Sequence, residues 1–309
     1  MTTIDPEASK ILVIIGGATA VGKTGVASHL ARQLGLEILS ADSRQFYREM
    51  EIGTAKPTAD ERAAAPHHFV DFLSVEEPYS VGDFERDALA LLAQLFKKNN
   101  AAILVGGSGL FLKAVYNGLD AFPDISEQTK TWVQTGEATG GIHWLQDQLE
   151  AQDPVYFEQV DQQNPARLRR ALEVCRESGQ PYSAFLARPK IKRPFEPVFI
   201  LLELPRNELY ARIDARVDQM IDAGLEQEAR QLYPYRQLPA LNTVGYTEWF
   251  DFFDGKTDRD TAIEKIKQHS RNYAKRQATW FRKHGSWTVF HPADLPGILD
   301  FCNKKLRPA

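Results

Sequence analysis

The stretch that decides the fold is residues 11–24, which read ILVIIGGATAVGKT. Its first five residues are apolar and mostly β-branched, which is typical of a strand buried on both faces of a sheet. Residues 17–24 match the phosphate-loop pattern G-x-x-x-x-G-K-[ST] at every fixed position, and residues 23–34 have a helical pattern. A strand, a glycine-rich loop and a helix in this order predict backbone amides and a helix N-terminus that together hold a phosphate.

The loop supplies the first candidate site residues. Lys23 is expected to reach the terminal phosphates, and the hydroxyl of Thr24 is expected to help hold Mg²⁺. The residues predicted to hold a diphosphate or nucleotide are Gly17, Ala18, Thr19, Ala20, Val21, Gly22, Lys23 and Thr24. ATPase motors and GTPases usually end another strand in an acidic residue that helps hold Mg²⁺. Residues 101–105 form an apolar run that ends in Gly-Gly-Ser-Gly instead, which disfavours a motor.

Further apolar runs predict the rest of the sheet. Strands are expected at residues 36–40, 101–105 and 198–203, with a helix at residues 83–98 and a late apolar run at residues 287–290. This alternation indicates an α/β fold, here a P-loop NTPase-like parallel sheet with helices on both faces. Residues 120–195 carry helical patterns, which predict an inserted all-helical subdomain. The expected organisation is a P-loop core at residues 1–119, the insertion at 120–195, and the second part of the core, with a basic helix, at 196–309.

Composition excludes several classes of protein. The 309 residues are 43% hydrophobic and 25% charged, which is globular and excludes a disordered or fibrous chain. Two cysteines, Cys175 and Cys302, give no disulfide framework and no sequence-local zinc site. The sequence shows no secretory signal pattern and no apolar run near the ~20 residues that span a bilayer. We therefore expect a soluble, cytoplasmic protein without membrane contact.

Charge is distributed unevenly along the chain. The net charge of −4 excludes a uniformly basic surface, but residues 163–193 and residues 261–284 each carry +6. In the second segment Lys267, Arg271 and Lys275 recur every four residues and so share one face of a helix. Such segregation suggests a polyanionic partner. On charge alone, two solvated helical faces are the more frequent explanation.

Asp42 is the candidate general base. It follows the predicted strand at residues 36–40, and the ends of parallel strands meet at one edge of a sheet, so Asp42 should face the phosphate loop. A carboxylate there can take a proton from an attacking nucleophile, or it can cap the turn after the strand. Arg216, in a helical stretch, can neutralise a leaving phosphate, although a surface arginine is the commoner interpretation. The pair His67 and His68 lacks further ligands at metal-binding spacing, so we favour a structural role.

Eight motifs in one order resemble a known family. They are residues 17–24 (GATAVGKT), 41–45 (ADSRQ), 52–57 (IGTAKP), 67–68 (HH), 106–109 (GGSG), 164–173 (NPARLRRALE), 216–220 (RVDQM) with 224–225 (GL), and 245–246 (GY). Together they resemble the bacterial tRNA dimethylallyltransferases, also called tRNA isopentenyltransferases, over about residues 10–284.

This resemblance implies a reaction and its residues. The family transfers a dimethylallyl group from dimethylallyl diphosphate to the N6 amine of adenosine 37, just 3′ of the anticodon, in tRNAs that read codons beginning with U. Asp42 would be the base, Thr19 and Arg216 would stabilise charge on the diphosphate, and Mg²⁺ would assist. The residues implied in tRNA binding are Asp42, Ser43, Arg44, Gln45, Ser108, Lys130, Ala166, Arg167, Leu168, Arg169, Arg170, Asn242, Thr243, Val244, Gly245, Tyr246, Thr247, Lys267, Arg271 and Lys275. A monomer is expected.

Some positions depart from the family's usual pattern. Ala18 and Val21 replace the usual proline and serine of the loop, and neither change removes a backbone amide from the cradle. Ser108 replaces a threonine and keeps the hydroxyl. Ala166 stands where glutamine is usual, and Lys130 lies near a position often held by arginine, so these two RNA contacts differ from the family's.

Three alternative functions compete with transfer to tRNA. An adenylate isopentenyltransferase would prenylate free AMP, ADP or ATP, and would not need the helical insertion or the late basic helix. A P-loop kinase for a small metabolite would use the phosphate loop and Asp42 but not the basic segments. A non-catalytic RNA-binding module would use the basic segments but not Lys23, Thr24 or Asp42.

Overall fold

The computed structural model describes residues 9–186 and 192–306. The described chain forms two compact units, one made of the residues up to 117 and from 193 onward, the other of residues 118–192. The sequence places an insertion at residues 120–195, which begins two residues inside the second unit and ends three residues beyond it. Arg188 and Lys190, which contribute to the first basic segment, lie outside the described residues.

The first unit is built on one parallel sheet. Its strands are β1 (Ile11–Gly17), β2 (Ile38–Ser40), β3 (His67–His68), β4 (Ala101–Gly106), β5 (Glu196–Leu202) and β6 (Thr288–Phe290). They lie in the order β3-β2-β4-β1-β5-β6, and every neighbouring pair is parallel. The predicted α/β fold with a parallel P-loop-type sheet is therefore confirmed.

Helices connect the strands and form the second unit. In chain order they are α1 (Lys23–Leu34), α2 (Ala59–Ala64), α3 (Val81–Leu95), α4 (Gly109–Asn117), α5 (Glu127–Gln152), α6 (Pro154–Phe157), α7 (Pro165–Ser178), α8 (Tyr182–Leu186), α9 (Arg206–Asp222), α10 (Leu225–Leu232), α11 (Thr247–Phe253), α12 (Arg259–Lys283) and α13 (Leu295–Leu306). Two short 3₁₀ turns, Tyr233–Tyr235 and Pro239–Leu241, precede α11. No helix within residues 9–186 and 192–306 has the length and hydropathy needed to cross a membrane.

Both faces of the sheet are covered, because successive side chains of a strand point to opposite faces. Leu12 and Ile14 of β1 pack in a cluster with residues of α3, α4 and α12. Val13 and Ile15 of the same strand pack on the other face with residues of α1 and α13. Burial of each such side chain contributes about 1.5–3 kcal/mol. The continuous apolar run at residues 11–15 is thus explained by a central strand.

Several elements differ from the sequence prediction. Helix α3 spans Val81–Leu95 and β5 spans Glu196–Leu202, where residues 83–98 and 198–203 were expected. The strand expected from residue 36 begins at residue 38, because the N–H of Leu36 still bonds to the carbonyl of Ala31 at the end of α1 (3.0 Å). His67 and His68 form the unpredicted edge strand β3, paired with β2. His68 Nε2 lies 2.7 Å from a carboxylate oxygen of Glu37, which agrees with the structural role expected for the pair.

The second unit has its own hydrophobic core. Helices α5 and α7 pack around Val133, Leu145, Leu149, Leu168 and Leu172, all fully buried. Backbone angles of Gly141 (φ 63°) interrupt α5 near its middle. The guanidinium of Arg169 donates two hydrogen bonds to the carboxylate of Glu137 (2.7 and 2.8 Å). This bidentate pair and the apolar core hold the two helices together.

Candidate active site

The carboxyl ends of three neighbouring strands bring the candidate residues together. Asp42 follows β2, the phosphate loop follows β1, and Gly107 and Ser108 follow β4, which pairs with both of the other strands. These loops line a crevice of about 950 Å³. The predicted site residues that line it are Thr19, Ala20, Gly22, Lys23, Thr24, Asp42, Ser43, Arg44, Gln45, Ser108, Arg216, Asn242, Thr243, Val244, Gly245 and Thr247. Binding at the carboxyl edge is usual for open α/β sheets.

The phosphate loop and α9 place three polar side chains at this crevice, those of Thr19, Lys23 and Arg216. Gly22 has a left-handed backbone (φ 102°) just before α1, whose first residue is Lys23. The ammonium of Lys23 donates a hydrogen bond to the carbonyl of Ala18 (2.8 Å). Arg216 reaches the loop from α9 and donates to the hydroxyl of Thr19 (3.2 Å). Thr19 and Arg216 therefore form a hydrogen-bonded pair, a contact that the sequence did not predict.

Affinity for inorganic pyrophosphate is expected to fall above about pH 8. Burial lowers the pKa of Lys23 to about 8, while the carboxylate of Asp42 raises it and the guanidinium of Arg216 lowers it. The ammonium attracts the anion, so the dissociation constant should stay level below this pKa and rise above it, by up to about tenfold per pH unit. Calorimetric titrations between roughly pH 6.5 and 9.5 measure this dependence.

The control for that titration is Lys23→Arg, since a guanidinium keeps its charge throughout this pH range. Its curve reports the ionisation of pyrophosphate and of the remaining protein. Parallel curves for the two proteins would contradict the assignment of Lys23 as the titrating group.

Asp42 lines the crevice and shapes the turn after β2. Its Oδ1 accepts a hydrogen bond from the backbone N–H of Arg44 (3.2 Å), so the carboxylate does shape the turn after β2. No hydrogen bond reaches Oδ2 from any residue that the structure describes. Burial and the Asp42 charge raise the pKa of Tyr273, across the crevice, to about 12. One carboxylate oxygen thus holds the turn, and the other has no hydrogen-bond donor among the described residues, so the general-base role stays a prediction.

The donor groups of the crevice fit a magnesium ion that a substrate brings with it. Within the described ranges no group of three or more His, Cys, Asp or Glu side chains could hold a metal by themselves. Mg²⁺ commonly keeps one or two protein ligands and takes phosphate oxygens and waters for the rest. Thr24, in the first turn of α1, and Asp42 line the same crevice. The Thr24 hydroxyl beside a phosphate cradle suits this mode of binding, with the remaining ligands coming from the diphosphate and water.

Comparison with known proteins assigns the chain to a family. The family model described as IPP transferase matches residues 45–284. A tRNA dimethylallyltransferase of Christiangramia forsetii is 52% identical over 301 residues, which cover 97% of this chain and 99% of that protein. The chain belongs to the tRNA dimethylallyltransferase family. The resemblance based on eight motifs is confirmed.

Solved structures of tRNA dimethylallyltransferases have the same fold. The full-length tRNA isopentenylpyrophosphate transferase of Bacillus halodurans is 35% identical with a TM-score of 0.72, covering 96% of this chain and 97% of that one. A eukaryotic dimethylallyltransferase, described as acting on tRNA, is 25% identical with a TM-score of 0.80, covering 93% of this chain and 75% of that one.

Other residues expected to contact tRNA lie outside the crevice. On α12, Lys267 forms ion pairs with Asp218 and Glu264, and Arg271 pairs with Asp214, whereas Lys275 is exposed. The basic face predicted for this helix therefore packs partly against the acids of α9. Tyr246 is fully buried, although its neighbours line the crevice.

In the second unit, the residues predicted to contact tRNA differ in exposure. Ala166, Arg167 and Arg170 are exposed, while the side chain of Leu168 lies in the core. Lys130 is partly exposed and pairs with Glu127 at 2.6 Å. An exposed ion pair contributes about 0–1 kcal/mol, so the pair with Glu127 leaves the Lys130 ammonium available to another anion.

Glu228 of α10 holds two segments of the crevice together, and the sequence motifs did not single it out. Its carboxylate accepts hydrogen bonds from three successive backbone N–H groups, those of Glu51 (2.9 Å), Ile52 (2.7 Å) and Gly53 (3.0 Å). The hydroxyl of Tyr246 donates a fourth (2.6 Å). Glu228 therefore joins the segment after Asp42 to the 242–247 stretch. Its only sequence signal is its position three residues after the Gly224-Leu225 motif.

Two further missed residues hold the same loops. Lys56 has a fully buried side chain, donates to the carbonyl of Tyr47 (2.9 Å) and pairs with Asp71. Glu248, 3% exposed, accepts from the N–H of Gly245 (2.8 Å) and contacts Nδ1 of His269 (2.6 Å). Lys56 belongs to the IGTAKP motif, but that motif alone does not show that its lysine is buried. Such residues give the crevice a fixed wall.

Proposed function

We propose that this chain transfers a dimethylallyl group from dimethylallyl diphosphate to the N6 amine of adenosine 37 in the anticodon stem-loop of tRNAs that read codons beginning with U. Its family membership supports this reaction. The observation that carries it is the placement of Asp42 and Lys23 in one crevice, close enough for the carboxylate to raise the pKa of the lysine. A proton acceptor thus stands beside an anion cradle.

The proposed step follows from these positions. The diphosphate of the donor lies on the phosphate loop, and the adenine amine attacks the first carbon of the dimethylallyl group. A C–N bond forms, the C–O bond to the diphosphate breaks, and Asp42 takes a proton from the amine. Lys23, Thr19 and Arg216 stabilise the negative charge that develops on the departing diphosphate.

Mg²⁺ would share that stabilisation. The hydroxyl of Thr24 would hold it together with oxygens of the donor's diphosphate, and the ion would supply further positive charge to the leaving group. The residues of the cradle would keep the diphosphate oriented, with Lys23 reaching its terminal phosphate.

The adenine must leave its stack to reach the crevice, at a cost of a few kcal/mol that contacts to the rest of the RNA offset. We assign these contacts to the residues implied by the family: the segment 42–45, Ser108, the stretch 242–247, Lys130, residues 166–170 of the second unit, and Lys267, Arg271 and Lys275 of α12. Lys267 and Arg271 would exchange their α9 carboxylates for phosphates. A monomer in the cytoplasm suffices for this arrangement.

Lys275→Ala should lower the affinity for tRNA, and this affinity should then depend less steeply on salt concentration. One fewer phosphate contact lowers the slope of log affinity against log salt by about 0.7–0.9. Filter binding at several salt concentrations measures this slope. Lys304→Ala is the matched control, since Lys304 lies on α13 in an exposed pair with Asp300 and should leave the slope unchanged. An unaltered slope for Lys275→Ala would remove this residue from the RNA interface.

A paired transfer assay tests the function itself. Labelled dimethylallyl diphosphate and Mg²⁺ are mixed with unmodified tRNA in one reaction and with AMP or ATP in another. We expect label in tRNA at adenosine 37 and none in the free nucleotide. Label in AMP or ATP would favour an adenylate isopentenyltransferase. Turnover of ATP without transfer would favour a kinase.

A further inference from the structure

Gln277 of α12 joins two loops of the crevice through its side-chain amide. The backbone N–H of Thr19 donates to its Oε1 (2.8 Å), and its Nε2 donates to the carbonyl of Gly107 (2.9 Å). The residue is 7% exposed, although its neighbour Arg276 is exposed. A buried amide whose oxygen accepts and whose nitrogen donates has one orientation that satisfies both partners.

The loop after β4 is shaped to receive this amide. A Cβ at Gly107 would overlap the amide nitrogen of Gln277 and would lie 3.4 Å from Nζ of Lys23. The absence of a side chain at this position therefore permits the close approach of the glutamine, the loop and the lysine. Gly107 belongs to the GGSG motif. The phosphate loop alone does not explain why this position is a glycine, whereas the contact with Gln277 does.

Thr19 is held at two points as a result. Gln277 fixes its backbone N–H, and Arg216 fixes its hydroxyl at 3.2 Å. The two contacts come from different helices, α12 and α9. Together they set the orientation of Thr19, the third residue of the phosphate loop, which lines the crevice together with Lys23.

We propose that Gln277 is a positioning residue for the transfer reaction. It holds the phosphate loop in register with the loop after β4, so that Thr19 and Lys23 meet the departing diphosphate in a fixed geometry. The inference rests on the proposed function, since it takes the bound anion to be the donor's diphosphate. A displacement of about 1 Å at a reacting group can cost about 10²-fold in rate.

Three variants test this role. Gln277→Met keeps the volume but loses both hydrogen bonds. Gln277→Glu keeps an acceptor for Thr19 but turns a carboxylate oxygen toward the carbonyl of Gly107 and adds negative charge beside Lys23. Gln268→Met is the control, because Gln268 is exposed and lies nine residues earlier, on the opposite side of the same helix.

We expect Gln277→Met to lower kcat by about 10²-fold and to weaken pyrophosphate binding, with tRNA affinity close to that of the wild type. Gln277→Glu should lose more in pyrophosphate binding than Gln277→Met, since its charge repels the anion. Gln268→Met should match the wild type in kcat and in pyrophosphate affinity, the two quantities that Gln277 is proposed to set. Calorimetry with inorganic pyrophosphate, filter binding with tRNA and steady-state transfer assays give these values.

If Gln277 only fills space, its replacements should leave kcat and pyrophosphate affinity unchanged. Both replacements are similar in size to glutamine, so normal kcat and pyrophosphate affinity in either one would overturn the proposal. Equal losses of pyrophosphate and tRNA affinity would also overturn it, since they indicate general damage. If Gln277→Met does not fold, Gln277→Glu decides between these outcomes. A wild type that binds pyrophosphate but transfers no label to tRNA would refute the proposed function, while the pyrophosphate measurements would still test Gln277.

Discussion

Asp42→Asn is expected to lower the single-turnover rate of transfer by about 10²–10⁴-fold. An amide cannot take the proton from the adenine amine, but its oxygen still accepts the N–H of Arg44 that shapes the turn after β2. Pyrophosphate should bind as well as before or more tightly, because a negative charge near Lys23 and Arg216 has been removed. Rapid-quench transfer with preformed complexes and calorimetry with pyrophosphate measure the two effects.

Comparing Asp42→Ala with Asp42→Asn separates the role of Asp42 as a base from its role in shaping the turn after β2. The alanine variant loses the proton acceptor and also the hydrogen bond to Arg44, so any additional loss relative to Asp42→Asn reports the turn. If the asparagine variant keeps more than about a tenth of the wild-type rate, general-base catalysis by this residue is excluded. A parallel loss of pyrophosphate affinity would likewise show that Asp42 acts through the fold of the crevice.

Glu228→Gln should cost about 3 kcal/mol of unfolding free energy and at least about tenfold in tRNA affinity. In the glutamine variant an amide nitrogen replaces one carboxylate oxygen. Each oxygen of Glu228 accepts two hydrogen bonds, so two of the four donor groups lose their acceptor. A hydrogen bond to a charged group contributes about 1.5–3 kcal/mol. Both the segment after Asp42 and the 242–247 stretch then lose their common support.

Glu226→Gln is the matched control for this variant. Glu226 lies on the same helix and pairs with Arg230 and Arg259, whose side chains are 61% and 49% exposed. We expect a change of about 0.5 kcal/mol or less. Urea denaturation and filter binding compare the two variants. Equal stabilities would show that the four hydrogen bonds of Glu228 are replaced by water without loss.

The sequence predicted those parts of the fold and site that depend on neighbouring residues. The helix α1 begins and ends at the predicted residues, 23 and 34, because the phosphate-loop glycine starts it and Gly35 ends it. Asp42 lies near the phosphate loop because the carboxyl ends of parallel strands lie along the same side of a sheet. These features follow from local patterns and from sheet geometry.

Residues that act across long separations were not predictable in this way. Gln277 lies 258 residues from Thr19, and a glutamine on an amphipathic helix has no pattern that reveals its partners. Counting charges likewise gave Lys267 and Arg271 as a basic face, whereas the acids of α9 pair with both. Both contacts depend on how α12 packs against distant segments, which local sequence patterns do not show.

The order of strands in the sheet has a consequence for synthesis on the ribosome. The first strand to emerge, β1, lies in the centre of the sheet, yet its neighbour β5 begins about 185 residues later. At about 5–20 residues per second, β1 waits roughly 10–40 seconds for this partner. During that interval the helical unit, whose main buried cluster lies within residues 133–175, can fold before the sheet is complete. Until β5 is made, the nascent chain would thus expose the open edge of β1, which can pair with a strand of another chain.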